Sequence, residues 1–190
     1  MRSYDRIAVW FERTRDPAVG LPDLDALARA LPPSARVLDV GCGHGIPVSR
    51  WLVERGCRVT GLDSSPAMIS RYGANVPDAD ARCGDVRVAS FEPGSFDAVV
   101  AWGVLFHLSP ADQEATIRRV ATWLAPSGRF LFTSGDAAGE TTGTMDGVTF
   151  RYVSLGALAY RRALESAGLV FDGAHDDAWD NHVYLAHRPA

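Results

Sequence analysis

Val37-Leu38-Asp39-Val40-Gly41-Cys42-Gly43-His44-Gly45 is the stretch that decides the fold. Residues of strand character run straight into three glycines at alternate positions, and an apolar helical pattern follows from Ile46 to Val53. Alternate glycines let a backbone turn sharply and approach a ligand with no Cβ in the way. A helix starting behind them points unpaired N–H groups at whatever occupies the turn. Pro47 is expected at that helix's first position, where a missing N–H costs least. The pattern predicts a nucleoside-like cofactor between this loop and the next strand. Its spacing narrows the choice. A dinucleotide fold takes G-x-G-x-x-G, and its third glycine would fall where Ile46 stands. Here the third glycine comes one step early, and Asp39 before the loop is foreign to that fingerprint. Both differences point away from a pyrophosphate and toward a ligand with an amino-acid end.

Outward from this stretch, strands alternate with helices, which is the signature of a parallel sheet. Strands are expected at 36–40, 58–62, 80–83, 96–102, 128–134, 169–173 and 182–187, and helices at 46–55, 66–73, 111–124 and 154–167. Ser65-Pro66 and Ser109-Pro110 read as helix starts by cap-then-proline logic. Gly168 reads as a helix stop. Ahead of the sheet, 4–13 has Tyr4, Ile7, Ala8 and Phe11 on one helical face, and 21–31 reads as a second helix ending before Pro32-Pro33. Residues 1–33 are therefore expected as a helical cap on a 34–190 core, all within a single domain. The Gly- and Thr-rich stretch 136–152 is an insertion in that core, and its Asp146-Gly147 pair is a hairpin-turn signal. A long connection at the carboxyl edge of an α/β sheet is usually functional. The cap and the insertion are both expected to roof the pocket.

The 190 residues suit one domain with a full core. Apolar residues are 47% and charged residues 22%, an ordinary globular balance. The formal net charge of −4 argues against a general nucleic-acid binder, which needs a basic face. Cys42, Cys57 and Cys83 have no C-x-x-C spacing. No disulfide framework or metal site is expected, and a reducing cytoplasm fits best. No apolar run approaches transmembrane length, and Met1-Arg2-Ser3-Tyr4-Asp5-Arg6 carries charge without an apolar signal core.

VLDVGCGHG resembles the first motif of class I S-adenosylmethionine-dependent methyltransferases, and further matches follow in order. Gly61-Leu62-Asp63-Ser64-Ser65-Pro66-Ala67-Met68-Ile69 resembles the family's second strand end and the helix after it. Cys83-Gly84-Asp85-Val86 resembles its adenine-contacting turn, and Phe96-Asp97-Ala98-Val99-Val100-Ala101-Trp102 its fourth strand. Leu124-Ala125-Pro126-Ser127-Gly128-Arg129-Phe130-Leu131-Phe132 resembles the next helix-to-strand turn. The resemblance spans about 34–188 and implies a Rossmann-like three-layer α/β sandwich. Its seven-stranded sheet would be mostly parallel, with the last strand antiparallel. The implied cofactor is S-adenosylmethionine, and the implied partner is a small-molecule methyl acceptor, with no nucleic acid or membrane.

The resemblance places cofactor-binding residues at Asp39, Gly41, Cys42, Gly43, Gly45, Asp63, Ser64, Met68, Asp85, Val86, Ala101 and Trp102. Asp63, 20 residues after Gly43, can accept from both hydroxyls of a ribose; the plain alternative is a helix cap, a role Ser64 or Ser65 can already fill. Asp85 can accept from the adenine amino group while Val86 offers its N–H. Asp39 is expected to orient the loop and reach toward the cofactor's ammonium, directly or through water; the plain alternative, compatible with it, is a strand-end aspartate that satisfies loop N–H groups. Met68 would lie along the adenine or face the core. Trp102 would flank the methyl group. His107 is the candidate general base, because an imidazole titrates near neutral pH. The Asn/Asp-Pro-Pro-aromatic string of exocyclic base methylation is absent from Ala101–Leu108. Ala101-Trp102, Phe106-His107-Leu108, Asp112-Gln113 and Ser154-Leu155 with Tyr160-Arg161 resemble a narrower group of small bacterial methyltransferases, in which Arg151-Tyr152 replaces a more usual Tyr-His. Asp136, Tyr152, Asn181 and His182 are further polar candidates. Two rival functions are a cofactor-binding sensor or partner-dependent subunit without methyl transfer, and a nicotinamide oxidoreductase, which Ile46 and Asp39 disfavour.

The charge balance and the missing proline pair predict no salt-sensitive affinity for tRNA or duplex DNA. Filter binding across a salt series checks this, and tight binding at physiological salt contradicts the small-molecule reading.

Overall fold

The computed structural model describes residues 3–190, so Met1 and Arg2 of the expected cap lie outside the described residues. In chain order the helices are α1 (Ser3–Thr14), α2 (Leu21–Ala30), α3 (Val48–Glu54), α4 (Pro66–Asn75), α5 (Pro110–Trp123) and α6 (Ala157–Ser166). The strands are β1 (Arg36–Val40), β2 (Arg58–Asp63), β3 (Asp80–Cys83), β4 (Phe96–Ala101), β5 (Leu124–Ser134), β6 (Ala138–Met145), β7 (Val148–Leu155), β8 (Val170–Asp176) and β9 (His182–His187). Seven strands form one sheet in the order β3-β2-β1-β4-β5-β9-β8. β1 to β5 pair in parallel, and β9 runs antiparallel to both β5 and β8. This is the expected mostly parallel sheet with its last strand reversed.

Side chains alternate across a strand, so each central strand feeds two cores. Val37, Ala98, Val100, Leu131 and Val183 pack on one face with Leu24 and Leu27 of α2 and Val48 and Leu52 of α3. Leu38, Val99, Phe130, Phe132 and Tyr184 pack on the other with Ile117 and Val120 of α5 and Tyr160 and Leu164 of α6. The near-continuous apolar runs of β1 and β4 follow from burial on both faces. Helices on each side make the three layers. No helix among the described residues is long and apolar enough to cross a membrane.

Several boundaries differ from expectation for local reasons. α3 starts at Val48, with Pro47 as its N-cap instead of its first residue. β5 begins at Leu124, directly after α5, because Leu124 already pairs with Phe96 before a register shift. α6 starts at Ala157 because Ser154 and Leu155 complete β7, pairing with Gly139 and Ala138. The serine-proline starts hold, since Ser65 accepts from the Met68 N–H and Ser109 from the Asp112 N–H.

The 136–152 stretch folds as the β6–β7 hairpin, a separate two-stranded sheet. Asp146 (φ 45°) and Gly147 (φ 71°) take the positive φ values that a two-residue hairpin turn requires. Val148 and Phe150 of β7 pack on Ile7 of α1, with Tyr4, Phe11, Met145 and Tyr152 around them. Cap helix and hairpin thus share one small apolar cluster, separate from the two main cores.

A buried polar hub holds this hairpin to the sheet. The Tyr160 hydroxyl donates to Gln113 Oε1 and shares a hydrogen bond with Ser134 Oγ. Gln113 Nε2 donates to the carbonyls of Leu108 (3.1 Å) and Val153 (2.8 Å). α5, α6, β5 and β7 meet in these bonds. Tyr160→Phe strands two buried partners and should cost about 1–3 kcal/mol. Urea denaturation measures it, and an unchanged midpoint would remove the hub from the stability account.

Candidate active site

In this sheet the chain turns opposite ways from β1, with β2 on one side and β4 on the other. A crevice outside the carboxyl ends of the strands is the usual ligand site at such a switch point. The ends of β1, β2 and β4 and the turn after β3 open here into one cavity of about 380 Å³. That volume lies in the range of small-ligand sites, roughly 300–1,000 Å³.

Gly41 and Gly43 form the floor. Gly41 has φ +67°, and a Cβ there would stand 2.1 Å from Val104 Cγ2, so glycine is required by conformation and by space. Its N–H and that of Cys42 donate to the Leu62 carbonyl, fastening the loop to β2. Gly43 meets nothing that a side chain would displace. Its N–H donates to Asp63 Oδ2 at 2.9 Å, and the Ser65 N–H donates to Asp63 Oδ1 at 2.8 Å. Burial lifts the Asp63 pKa above the usual carboxylate value, while those two N–H groups pull it down. An ionised carboxylate has about four acceptor sites. Among the described residues two of these are used, and Asp63 lines the cavity. A vicinal diol could be held there.

Ser64, Met68, Gly84, Asp85 and Val86 form one wall. Met68 and Val86 are buried apolar surface. Asp85 is held in its turn by Arg87, whose guanidinium contacts both carboxylate oxygens and lowers the Asp85 pKa. Trp102, Gly103 and Val104 form the opposite wall.

The roof is made by Tyr4, Phe11 and Arg15 from the cap and by Met145 and Tyr152 from the hairpin, as expected for these segments. Under it, His107 sits in a short 3-10 turn (Leu105–His107). Its Nε2 is 2.9 Å from the Tyr4 hydroxyl. The rings of Phe106, Tyr152 and Tyr4 surround it at 4.8, 5.2 and 5.5 Å. Burial lowers the His107 pKa to about 4, offset in part by the Arg151 backbone. Burial raises the Tyr4 phenol above its usual value. Both are neutral at pH 7. The pair can therefore orient a polar ligand atom, but His107 is a weaker base than an exposed imidazole.

Four expected ligand-binding side chains do not reach the cavity. Asp39 is buried behind the loop, accepting from Ser49 Oγ at 2.6 Å on α3. Burial raises its pKa to about 7, and its side chain does not line the cavity. Cys42 turns its thiol under the loop, into a cluster with Tyr72 and Val76. Gly45 packs there too, where a Cβ would stand 2.5 Å from Val76. Ala101 lies in the core below Trp102. Of the further polar candidates only Tyr152 lines the cavity. Asp136 accepts from the Ala137 N–H, Asn181 bonds Asp177, and His182 bonds Asp176. Arg15, Phe106 and Arg87 line the cavity and were not anticipated. Arg15 reads in sequence as the end of a helix, and only its place in the roof segment hints at a role.

A family model described as a methyltransferase domain matches residues 37–128. A ubiquinone biosynthesis O-methyltransferase of Xanthomonas campestris pv. campestris is 36% identical over 113 residues, covering 56% of this chain and 46% of that protein. A 27-O-demethylrifamycin SV methyltransferase of Amycolatopsis mediterranei is 33% identical over 171 residues, covering 80% of this chain and 61% of that protein. The chain thus spans about half the length of the first of these relatives. The crystal structure of a 1,6-didemethyltoxoflavin-N1-methyltransferase from Burkholderia thailandensis, with 1,6-didemethyltoxoflavin and S-adenosylhomocysteine bound, shares the fold. Its TM-score is 0.73 at 20% identity, covering 100% of this chain and 84% of that one.

The buried Asp39 makes a pH prediction. In the unfolded chain it ionises above about pH 3.9, and in the folded chain only above about 7. Across that interval the folded form holds the extra proton, so this residue's contribution to stability falls as pH rises. Asp39→Asn should flatten the fall in urea midpoint between pH 5 and pH 8. An identical pH dependence in the variant contradicts this.

Proposed function

We propose that the chain is a class I S-adenosylmethionine-dependent methyltransferase, as the methyltransferase-domain match over residues 37–128 supports, and that it methylates a small-molecule acceptor. The observation that carries the reading is Asp63, held by Gly43 and Ser65 at the cavity wall. In this reading Asp63 accepts from the two ribose hydroxyls. Backbone at Gly41 and Gly43 faces the amino-acid end. Met68 and Val86 cover the adenine, and Asp85 accepts from its amino group. The cofactor supplies an activated methyl group on a sulfonium, which is already a good leaving group.

The protein's own work is alignment and exclusion of water. Trp102 flanks the transferring methyl. Tyr4, Phe106, His107 and Tyr152 enclose the acceptor side, where His107 and Tyr4 offer a neutral hydrogen-bonding pair. Such a pair suits an acceptor atom that is already nucleophilic at pH 7, because it orients well and pulls protons weakly. The small-molecule acceptors named for the relatives support the substrate class. The acidic balance speaks against a nucleic-acid substrate, and the cysteine spacing speaks for a cytoplasmic setting.

Calorimetry with S-adenosylhomocysteine and with NADH tests the cofactor, and only the first should bind. Asp63→Ala should weaken it by about 2–4 kcal/mol, from two charge-assisted hydrogen bonds with incomplete additivity. Unchanged affinity would take Asp63 out of the ribose role. Turnover is tested by S-adenosylhomocysteine release in the presence of small-metabolite fractions. Cofactor binding without release in any fraction would favour a sensor.

A further inference from the structure

We infer that the methyl acceptor is an uncharged aromatic N-heterocycle, methylated on a pyridine-type ring nitrogen while it packs against the ring wall of Tyr4, Phe106, His107 and Tyr152. The inference rests on the cofactor reading above and adds the chemical class of the acceptor to it.

Distant segments of the chain build that wall. Tyr4 comes from α1, Phe106 and His107 from the 3-10 turn after β4, and Tyr152 from β7. Ring centroids lie 4.8 Å apart for Phe106 and His107, 5.2 Å for His107 and Tyr152, and 5.5 Å for Phe106 and Tyr152. All four side chains line the cavity, and Trp102 and Met145 add further apolar surface to it. Ring faces and edges of this kind favour a planar aromatic partner, by offset stacking or edge-on contact.

The charged residues of the cavity stand elsewhere. Arg87 pairs with Asp85 and reaches Asp112 at 3.9 Å, on the adenine side. Asp63 is held by the Gly43 and Ser65 N–H groups. Arg15 follows the far end of α1, roughly 16 Å along the helix from Tyr4 at about 1.5 Å per residue, and its guanidinium faces the Phe11 ring at 5.7 Å. A carboxylate or phosphate pressed on the ring wall would lie unpaired, at high cost. The reacting part of the acceptor is therefore uncharged.

The wall also offers no ready base. His107 Nε2 is taken by the Tyr4 hydroxyl at 2.9 Å, and its Nδ1 is buried. Burial lowers the imidazole pKa to about 4 and raises both the Tyr4 and Tyr152 phenols. A phenol or alcohol acceptor would have to give its proton to this pair. A thiol attacks as its thiolate, an anion, and an aliphatic amine enters as an ammonium with a proton to shed. A pyridine-type nitrogen makes none of these demands: its lone pair lies in the ring plane, and the ring is uncharged at pH 7. That lone pair forms the N–C bond as the C–S bond breaks, and sulfur keeps the bonding electrons. The positive charge moves from the sulfonium to the heterocycle, and no proton is transferred. The cation so formed lies against aromatic rings, which attract it.

The test uses the whole chain with S-adenosylmethionine and probes of matched size: quinoline and isoquinoline, naphthol, naphthalenethiol, and isoquinoline carboxylate as the charged analogue. S-adenosylhomocysteine release measures turnover, and mass spectrometry identifies a product with one added methyl and a fixed positive charge. The two heterocycles should react at least about 10-fold faster than the naphthol, the thiol and the carboxylate, at a rate that does not rise between pH 7 and pH 9. Phe106→Leu and Tyr152→Leu should each cut heterocycle turnover about 3- to 30-fold, and should weaken S-adenosylhomocysteine in calorimetry far less. Equal or faster reaction of the naphthol, the thiol or the carboxylate overturns the inference, as does release from neither heterocycle by a chain that binds S-adenosylhomocysteine; both leave the cofactor reading intact. A chain that does not bind S-adenosylhomocysteine overturns both.

Discussion

The Asp63 carboxylate ties the site together. One oxygen takes the Gly43 N–H of the loop after β1, and the other takes the Ser65 N–H at the start of α4. Ser65 then caps α4 and donates to Asp5 of α1. A single hydrogen-bond chain thus runs from the floor of the cavity, through its wall, to its roof. Asp63 is half-buried with its charge raised in energy, so the N–H groups around it are what make it tolerable. Removing them would loosen two loops at once, because each loop is held by the same side chain.

The rest of the architecture exists to put that carboxylate at an open edge. The parallel strands β1, β2 and β4 end together, and their helices cover both faces, so the carboxyl edge is where ligand can enter. The roof needs its own cohesion, since the main cores do not reach it. Ile7, Val148 and Phe150 supply this with a small apolar cluster, and the Gln113–Tyr160 hub anchors the hairpin from behind. Small satellite clusters of this kind belong to the low-stability end of a fold, which suits segments that must admit and release ligand.

Much of this was legible because local rules and fold agree along most of the chain. The strand-to-glycine transition at Val40-Gly41, the Ser-Pro helix starts and the Asp146-Gly147 turn each follow from backbone chemistry that needs no tertiary context. Leu124 was misplaced because its pairing with Phe96 is non-local, and no glycine or proline separates it from Trp123. Among site residues, Asp63, Ser64, Met68, Asp85, Val86 and Trp102 stand on the cavity, since each sits at a strand end or in the turn after it. Cys42, Gly45 and Ala101 are neighbours of such residues in sequence, but their side chains or Cβ positions point the other way. Asp39 is one pleat inside the strand end and is claimed by Ser49. Arg15, Phe106 and Arg87 could not be found by periodicity, because what makes them notable is the company they keep across distant parts of the chain.

The central claim is that the cofactor lies at the carboxyl edge with its ribose on Asp63 and the roof above it. A crystal structure with S-adenosylhomocysteine tests this most directly. The account predicts both ribose hydroxyls within hydrogen-bond distance of the Asp63 carboxylate, the adenine between Met68 and Val86, and Tyr4 and Tyr152 over the sulfur. Ligand density elsewhere on the chain, or in this cavity with its ribose turned away from Asp63, would contradict it.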